Sequence, residues 1–179
     1  MKKRLQVLKR GAVGILAGLV VCVLFVCGCG EPGPYSNESL YTDEVGSVYV
    51  EMFESRSFRR GVEYELTNAV AKRIEAETPY KVISNRDRAD SVLSGQIMRV
   101  GEMVLTTERR LGRGLEKEVE VQAVVSWKNL KTGELLIDNK GVSASASYSE
   151  WQNQGFDYGS ALAANKLAQR IVELMEAEW

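Results

Sequence analysis

Four cations fall within nine residues at Arg109, Arg110, Arg113 and Lys117. Side chains of this type at this density bind phosphates or carboxylates through charge-assisted hydrogen bonds. Glu108, Glu116 and Glu118 partly neutralise them. The same stretch therefore also reads as a solvated hairpin tip that keeps a strand edge from aggregating. A second basic stretch, Arg56-Ser57-Phe58-Arg59-Arg60, holds an aromatic ring among cations. Phe58 is either a partner contact or a core residue, and the core is its expected place. Glu116, Glu118 and Glu120 are spaced i, i+2, so on a strand they share one face. Paired carboxylates can exchange protons, but three on one strand read first as the wet face of a hairpin. Ser143, Ser145 and Ser147 also share a face and have no base nearby in sequence. The 179 residues contain no histidine, which excludes a Ser-His-Asp triad, a Cys-His pair and a histidine metal site. No glycine-rich loop precedes a Lys-Ser/Thr pair, and Gly112-Arg113-Gly114 is too short to hold a nucleotide. The expectation is a protein without catalytic residues, metal or cofactor.

All three cysteines (Cys22, Cys27, Cys29) lie near the N-terminus, so no disulfide can staple the rest of the chain. Lys2, Lys3, Arg4, Lys9 and Arg10 precede an uncharged, mostly apolar run from Gly11 to Gly30. A basic region, an apolar region and then small residues form the export pattern. The run is also just long enough for a retained membrane helix. Val26-Cys27-Gly28-Cys29 resembles a bacterial lipobox: an aliphatic residue, a small residue at the scissile bond, and a thiol that accepts diacylglycerol. Cys at the −2 position departs from the usual Ala, Ser or Thr. Residues 1–28 are read as a lipoprotein signal peptide and Cys29 as the lipidated residue. More than one acyl chain, a palmitate among them, gives stable anchoring. Gly30, not Asp, follows Cys29, which resembles an outer-membrane address. Without residues 1–28 the chain keeps 18 cations and 24 acids, a net charge of −6. Bulk charge therefore argues against nucleic acid as a partner.

Residues 29–46 form the lipidated cysteine and a linker rich in Gly, Pro, Ser and acids. About 15 flexible residues span roughly 20 Å. An ordered extension along the domain is the other reading. Residues 47–179 read as one α+β domain. Ser47–Phe53 reads as a strand and Glu54–Arg60 as a loop. Gly61–Glu77 reads as a helix, because Val62, Leu66, Ala69, Val70 and Ile74 form one stripe. Tyr80–Ser84 is a short strand. Ser91–Thr107 is a long strand whose Gly95 and Gly101 suggest bulges or bends. Glu108–Lys117 is a charged turn. Val119–Trp127 alternates, Lys131-Thr132-Gly133 turns, and Glu134–Tyr148 returns. Asp157–Glu178 is a final amphipathic helix. Clean alternation gives each strand one wet face. The expected architecture is a mostly antiparallel sheet of four to five strands packed against two helices.

Several of these stretches, in this order, resemble the LPS-assembly lipoprotein family LptE. They are the lipobox at Cys29, the Ser47–Ser55 segment followed by Phe58, and the Gly61–Ile74 helix. Tyr80–Ser84 with Ala89–Ile97, Thr132-Gly133-Glu134, and the Ala-rich last helix continue the likeness over nearly the whole exported chain. The resemblance implies a β-α-β-β-β-α domain at the periplasmic face of the outer membrane. It implies a lipoprotein that partners the β-barrel LptD as plug and assembly factor and helps insert lipopolysaccharide. In that setting Arg109, Arg110, Arg113 and Lys117 are the candidates for lipid phosphates or barrel acids, on local charge and not on any family motif. A different outer-membrane lipoprotein, a secretion-pore subunit or cell-wall synthase activator, is the competing expectation. An envelope hydrolase is disfavoured by the missing histidine.

Overall fold

The computed structural model describes residues 40–109 and 114–176. The elements in chain order are β1 (Ser47–Val50), β2 (Glu54–Ser55), α1 (Val62–Glu77), β3 (Lys81–Val82), β4 (Ser91–Thr107), β5 (Gly114–Asn129), β6 (Leu135–Ser149) and α2 (Phe156–Glu173). Single-turn 3₁₀ helices at Arg86–Arg88 and Glu150–Gln152 precede β4 and α2. Among the described residues no helix is long and apolar enough to cross a membrane.

The α+β class holds, but the sheet is mixed, with six strands ordered β3-β1-β4-β5-β6 and with β2 also on β4. β1 runs parallel to both β3 and β4, and β2 runs parallel to β4. Only β4-β5-β6 is an antiparallel meander. The parallel part follows from connectivity. The helix α1 lies between β1 and β3, and a crossover helix returns the chain in the same direction. Residue alternation shows which face a residue takes, not which way its neighbouring strand runs.

Two amphipathic helices cover one face of the sheet. Val62, Leu66, Val70 and Ile74 of α1 are buried, as expected from their three- and four-residue steps. Ala163, Ala164, Leu167, Ala168, Ile171 and Val172 of α2 are buried beside them. From the sheet, Val119, Val121, Ala123, Val125 and Trp127 of β5 meet the helices. Ala144, Ala146 and Tyr148 of β6 join them. The small residues let α2 sit close. A Cβ added at Gly159 would lie 2.6 Å from Cδ1 of Tyr148, nearer than two carbon atoms can approach. Each fully buried Val, Leu or Ile side chain, such as Leu66, Ile74, Leu167 or Ile171, contributes about 1.5–3 kcal/mol.

Gly95 makes no bulge. The ring of buried Phe53 lies against it, and an added Cβ would stand 2.3 Å from Cε1 of Phe53 and 2.9 Å from the carbonyl oxygen of Val124. The register of β4 instead shifts between Ile97 and Arg99 and again beyond Val104. Gly101 pairs in register with Glu120. The short residue at position 95 therefore makes room for a ring and does not bend the strand.

At the end of the sheet where β1 begins, Asp90 ties three elements together. Its carboxylate accepts from the Gly46 amide at 3.1 Å and the Ser47 hydroxyl at 2.8 Å. It also pairs with Lys131 of the β5–β6 turn at 2.6 Å. The Lys131 and Ser47 hydrogen bonds hold the Asp90 carboxyl down to about 2. Nearby, Ser91 accepts from the buried Trp127 indole at 3.0 Å and donates to the carbonyl of Ser47.

Candidate functional site

At the opposite end of the sheet β4 and β5 pair as far as Thr107 and Gly114. β4 extends beyond the helices, and Met103, Val104 and Leu105 are exposed. Arg109 is exposed just past its end. Arg110 and Arg113 lie outside the described residues, as does Cys29. Gly114–Lys117, expected in the turn, already belongs to β5.

Lys117 is not a free cation. Its ammonium lies 2.6 Å from Glu150 and 3.6 Å from Glu102. Glu150 raises the Lys117 pKa first, with further help from Glu102. Glu102 also binds Arg59 at 3.1 Å and accepts a hydrogen bond from the Tyr148 hydroxyl. That hydrogen bond is the main cause holding the Glu102 carboxyl below the usual range, and Lys117 and Arg59 add to it. Burial, then Glu102, pushes the Tyr148 phenol up to about 12. The Arg59 guanidinium lies over the Phe156 ring, 4.2 Å from its centroid. One cluster thus ties the loop before α1, the two strands of the hairpin, and the start of α2.

This cluster was not legible in the sequence. Its members are separated by up to 97 positions, from Arg59 to Phe156. Only the i, i+2 step from Glu102 to Val104 and from Lys117 to Val119 hints that these charges share a face. Phe58 does not pack into the core, being fully exposed beside Arg59. Trp151, next to Glu150, is also exposed.

Among the described residues no element covers the face of the sheet away from the helices. Glu118 pairs with Ser147, Glu120 with Ser145, and Gln122 with Ser143. These polar residues share the face with Arg99 and Gly101 of β4, which pair with Gln122 and Glu120. The alternation expected for β5 and β6 therefore holds, and Glu116, Glu118 and Glu120 are its wet side. A shallow concavity near β2 is lined by Glu51, Glu54, Glu63, Arg60 and Gln96. Each of its acids serves a structural contact. Glu54 accepts from Gln96 at 2.9 Å, Glu63 accepts from the Gly61 amide at 3.1 Å, and Glu51 pairs with Arg86 at 3.4 Å.

A mixed sheet backed by two helices, with one polar face, defines an α+β domain also found in other proteins of solved structure. One is the hypothetical protein CT253 from Chlamydia trachomatis, at TM-score 0.52 and 12% identity, covering 72% of this chain and 94% of that one. Another is PelC from Paraburkholderia phytofirmans, solved as a dodecamer, at TM-score 0.50 and 12% identity, covering 78% and 96%. At that identity the likeness shows the fold. A search of curated proteins finds no match. Residues 45–177 match the LptE family, described as lipopolysaccharide-assembly, and the chain belongs to that family.

Proposed function

We propose that this protein is an outer-membrane lipoprotein, anchored through Cys29, that plugs and helps assemble an LptD-type β-barrel for lipopolysaccharide insertion. The observation that carries the reading is the family match across the whole folded domain. The open face supports it. The lumen of a transmembrane barrel is polar, and Glu118, Glu120, Gln122 and the serines of β6 offer a polar, small-residue surface. In this reading the chain binds and positions; it carries no reaction of its own.

The test is co-purification. A C-terminal tag and mild detergent extraction should recover a large outer-membrane barrel at stoichiometric yield. Cell-wall enzymes, or a ring of identical copies, would move the assignment to the competing lipoprotein roles. For the lipid, Arg109, Arg110 and Arg113 replaced together by Ser should weaken lipopolysaccharide binding in vitro. Unchanged, saturable binding would remove these residues from the site. Lys117→Ser belongs in a separate variant, because its ion pairs with Glu150 and Glu102 make it a structural residue as well.

A further inference from the structure

Among the described residues the outer edge of β6 is unpaired, since β6 ends the strand order on its side of the sheet. An unpaired edge is a template for another strand. The middle of β6 suits this unusually well. Ser143-Ala144-Ser145-Ala146-Ser147 is uncharged, free of proline, and reads the same in both directions. An antiparallel copy turned about Ser145 would set Ser against Ser and Ala against Ala on matching faces. The amide of Ser149 donates to the Gln154 side chain at 2.9 Å, and its carbonyl accepts from the Gln154 amide at 3.2 Å. Odd-numbered residues therefore turn their backbone groups outward, and Ser145 would face its copy as a hydrogen-bonded pair.

Two side chains of α2 occupy this edge. Lys166 donates to the carbonyl of Ser145 at 3.1 Å. Arg170, one turn on, donates to the carbonyl of Ser143. Both carbonyls are those a second strand would need. We propose that the β6 edge is a strand-pairing surface for a second copy of this chain, held shut by Lys166 and Arg170. The device works twice. The cations fill the acceptors, and pairing would bring both copies' Lys166 and Arg170 together at one seam, where like charges repel. Nearer the start of β6 a different device operates. The register shifts between Val125 and Trp127, and Asn139 bulges there at φ 43°. A bulge of this kind bends an edge away from a partner. The serine-alanine run has no bulge and relies on α2.

The experiment uses the full chain in detergent micelles, with the protein mass measured by light scattering. Lys166→Ser with Arg170→Ser should self-associate, lowering the self-dissociation constant by about tenfold or more relative to the parent. Lys166→Arg with Arg170→Lys should behave as the parent. Adding Ser145→Pro to the serine pair should restore the parental mass, because proline removes an outward N–H that an edge strand can lose without harm. Amide hydrogen exchange at Ser143, Ser145 and Ser147 should slow in the associated form and provides a readout independent of the proline variant. A folded serine pair of parental mass overturns the proposal. So does association that survives Ser145→Pro, or that leaves exchange along β6 unchanged.

Discussion

At the residue scale, two positions carry more of the structure than their size suggests. Asp90 is held down to about 2 by Lys131 and Ser47. A carboxyl depressed in the folded state stabilises it at pH values above its unfolded pKa near 4, and this contribution fades as pH falls toward about 2. The shift corresponds to at most about 2 kcal/mol. Partial exposure reduces that to about 1 kcal/mol. Urea unfolding at pH 7 and pH 3 should show Asp90→Asn less stable than the parent at pH 7, with the gap narrowing at pH 3. An equal gap at both pH values would mean the pairing with Lys131 adds nothing. Gly95 is the second position. Gly95→Ala forces the Phe53 ring or the Val124 backbone to move, and overpacking of this kind costs about 1–3 kcal/mol. Combining it with Phe53→Leu should cost less than the sum of the two single changes, because the second change removes the atoms that the first one meets. Additive melting shifts would place the strain elsewhere.

At the element scale, the cluster around Glu102 joins parts of the chain that share no local pattern. Glu102→Gln removes the charge that Arg59 and Lys117 face and weakens its bond with the Tyr148 hydroxyl. The expected outcome is faster amide exchange in the loop before α1 and at the hairpin end of β4 and β5, with the exchange of Leu93 and Val125 unchanged. Uniform acceleration would show that the cluster stabilises the whole domain and not one end. This contrast also marks what could be read from sequence. The long strands and both helices were legible because period-two and period-three-to-four patterns persist for 15 to 18 residues. β1, β2 and β3 run two to four residues, too short for a period to show orientation, so their parallel pairing was missed. Phe58, which lies outside the core, was not legible for a related reason: an aromatic residue four positions before a helix belongs to no periodic pattern, so its sequence position does not show whether it turns inward or outward. The basic tip was legible as a run of charge, but the partners of Lys117 were not, since Glu150 lies 33 residues away.

At the scale of the whole molecule, the two sheet faces ask for different surroundings. The helix face buries its apolar residues beneath the two helices, except at the hairpin end, where Val104 is exposed. The other face is a strip of mainly Glu, Gln and Ser, with Arg99, Met103 and Val124 among them, along strands of 15 to 17 residues, roughly 50 Å in length. A strip that long exceeds the roughly 30 Å hydrocarbon thickness of a bilayer. It would line a polar lumen over its full height, with Arg109 at one end and Asp90 at the other. If this face seats the protein in a barrel, bulk at its centre should break the complex and leave the fold intact. Gln122 sits mid-strand between Arg99 and Ser143, so Gln122→Trp adds a ring where the two surfaces would meet. A surface change of this kind alters stability by about 0.5 kcal/mol or less. Lys72→Trp, on the exposed side of α1, is the matched control. Recovery of the barrel with the tagged protein should fall severalfold for Gln122→Trp and stay near the parental level for Lys72→Trp, with both melting temperatures close to the parent. The reverse pattern would mean that the helices face the barrel and the polar strip faces water.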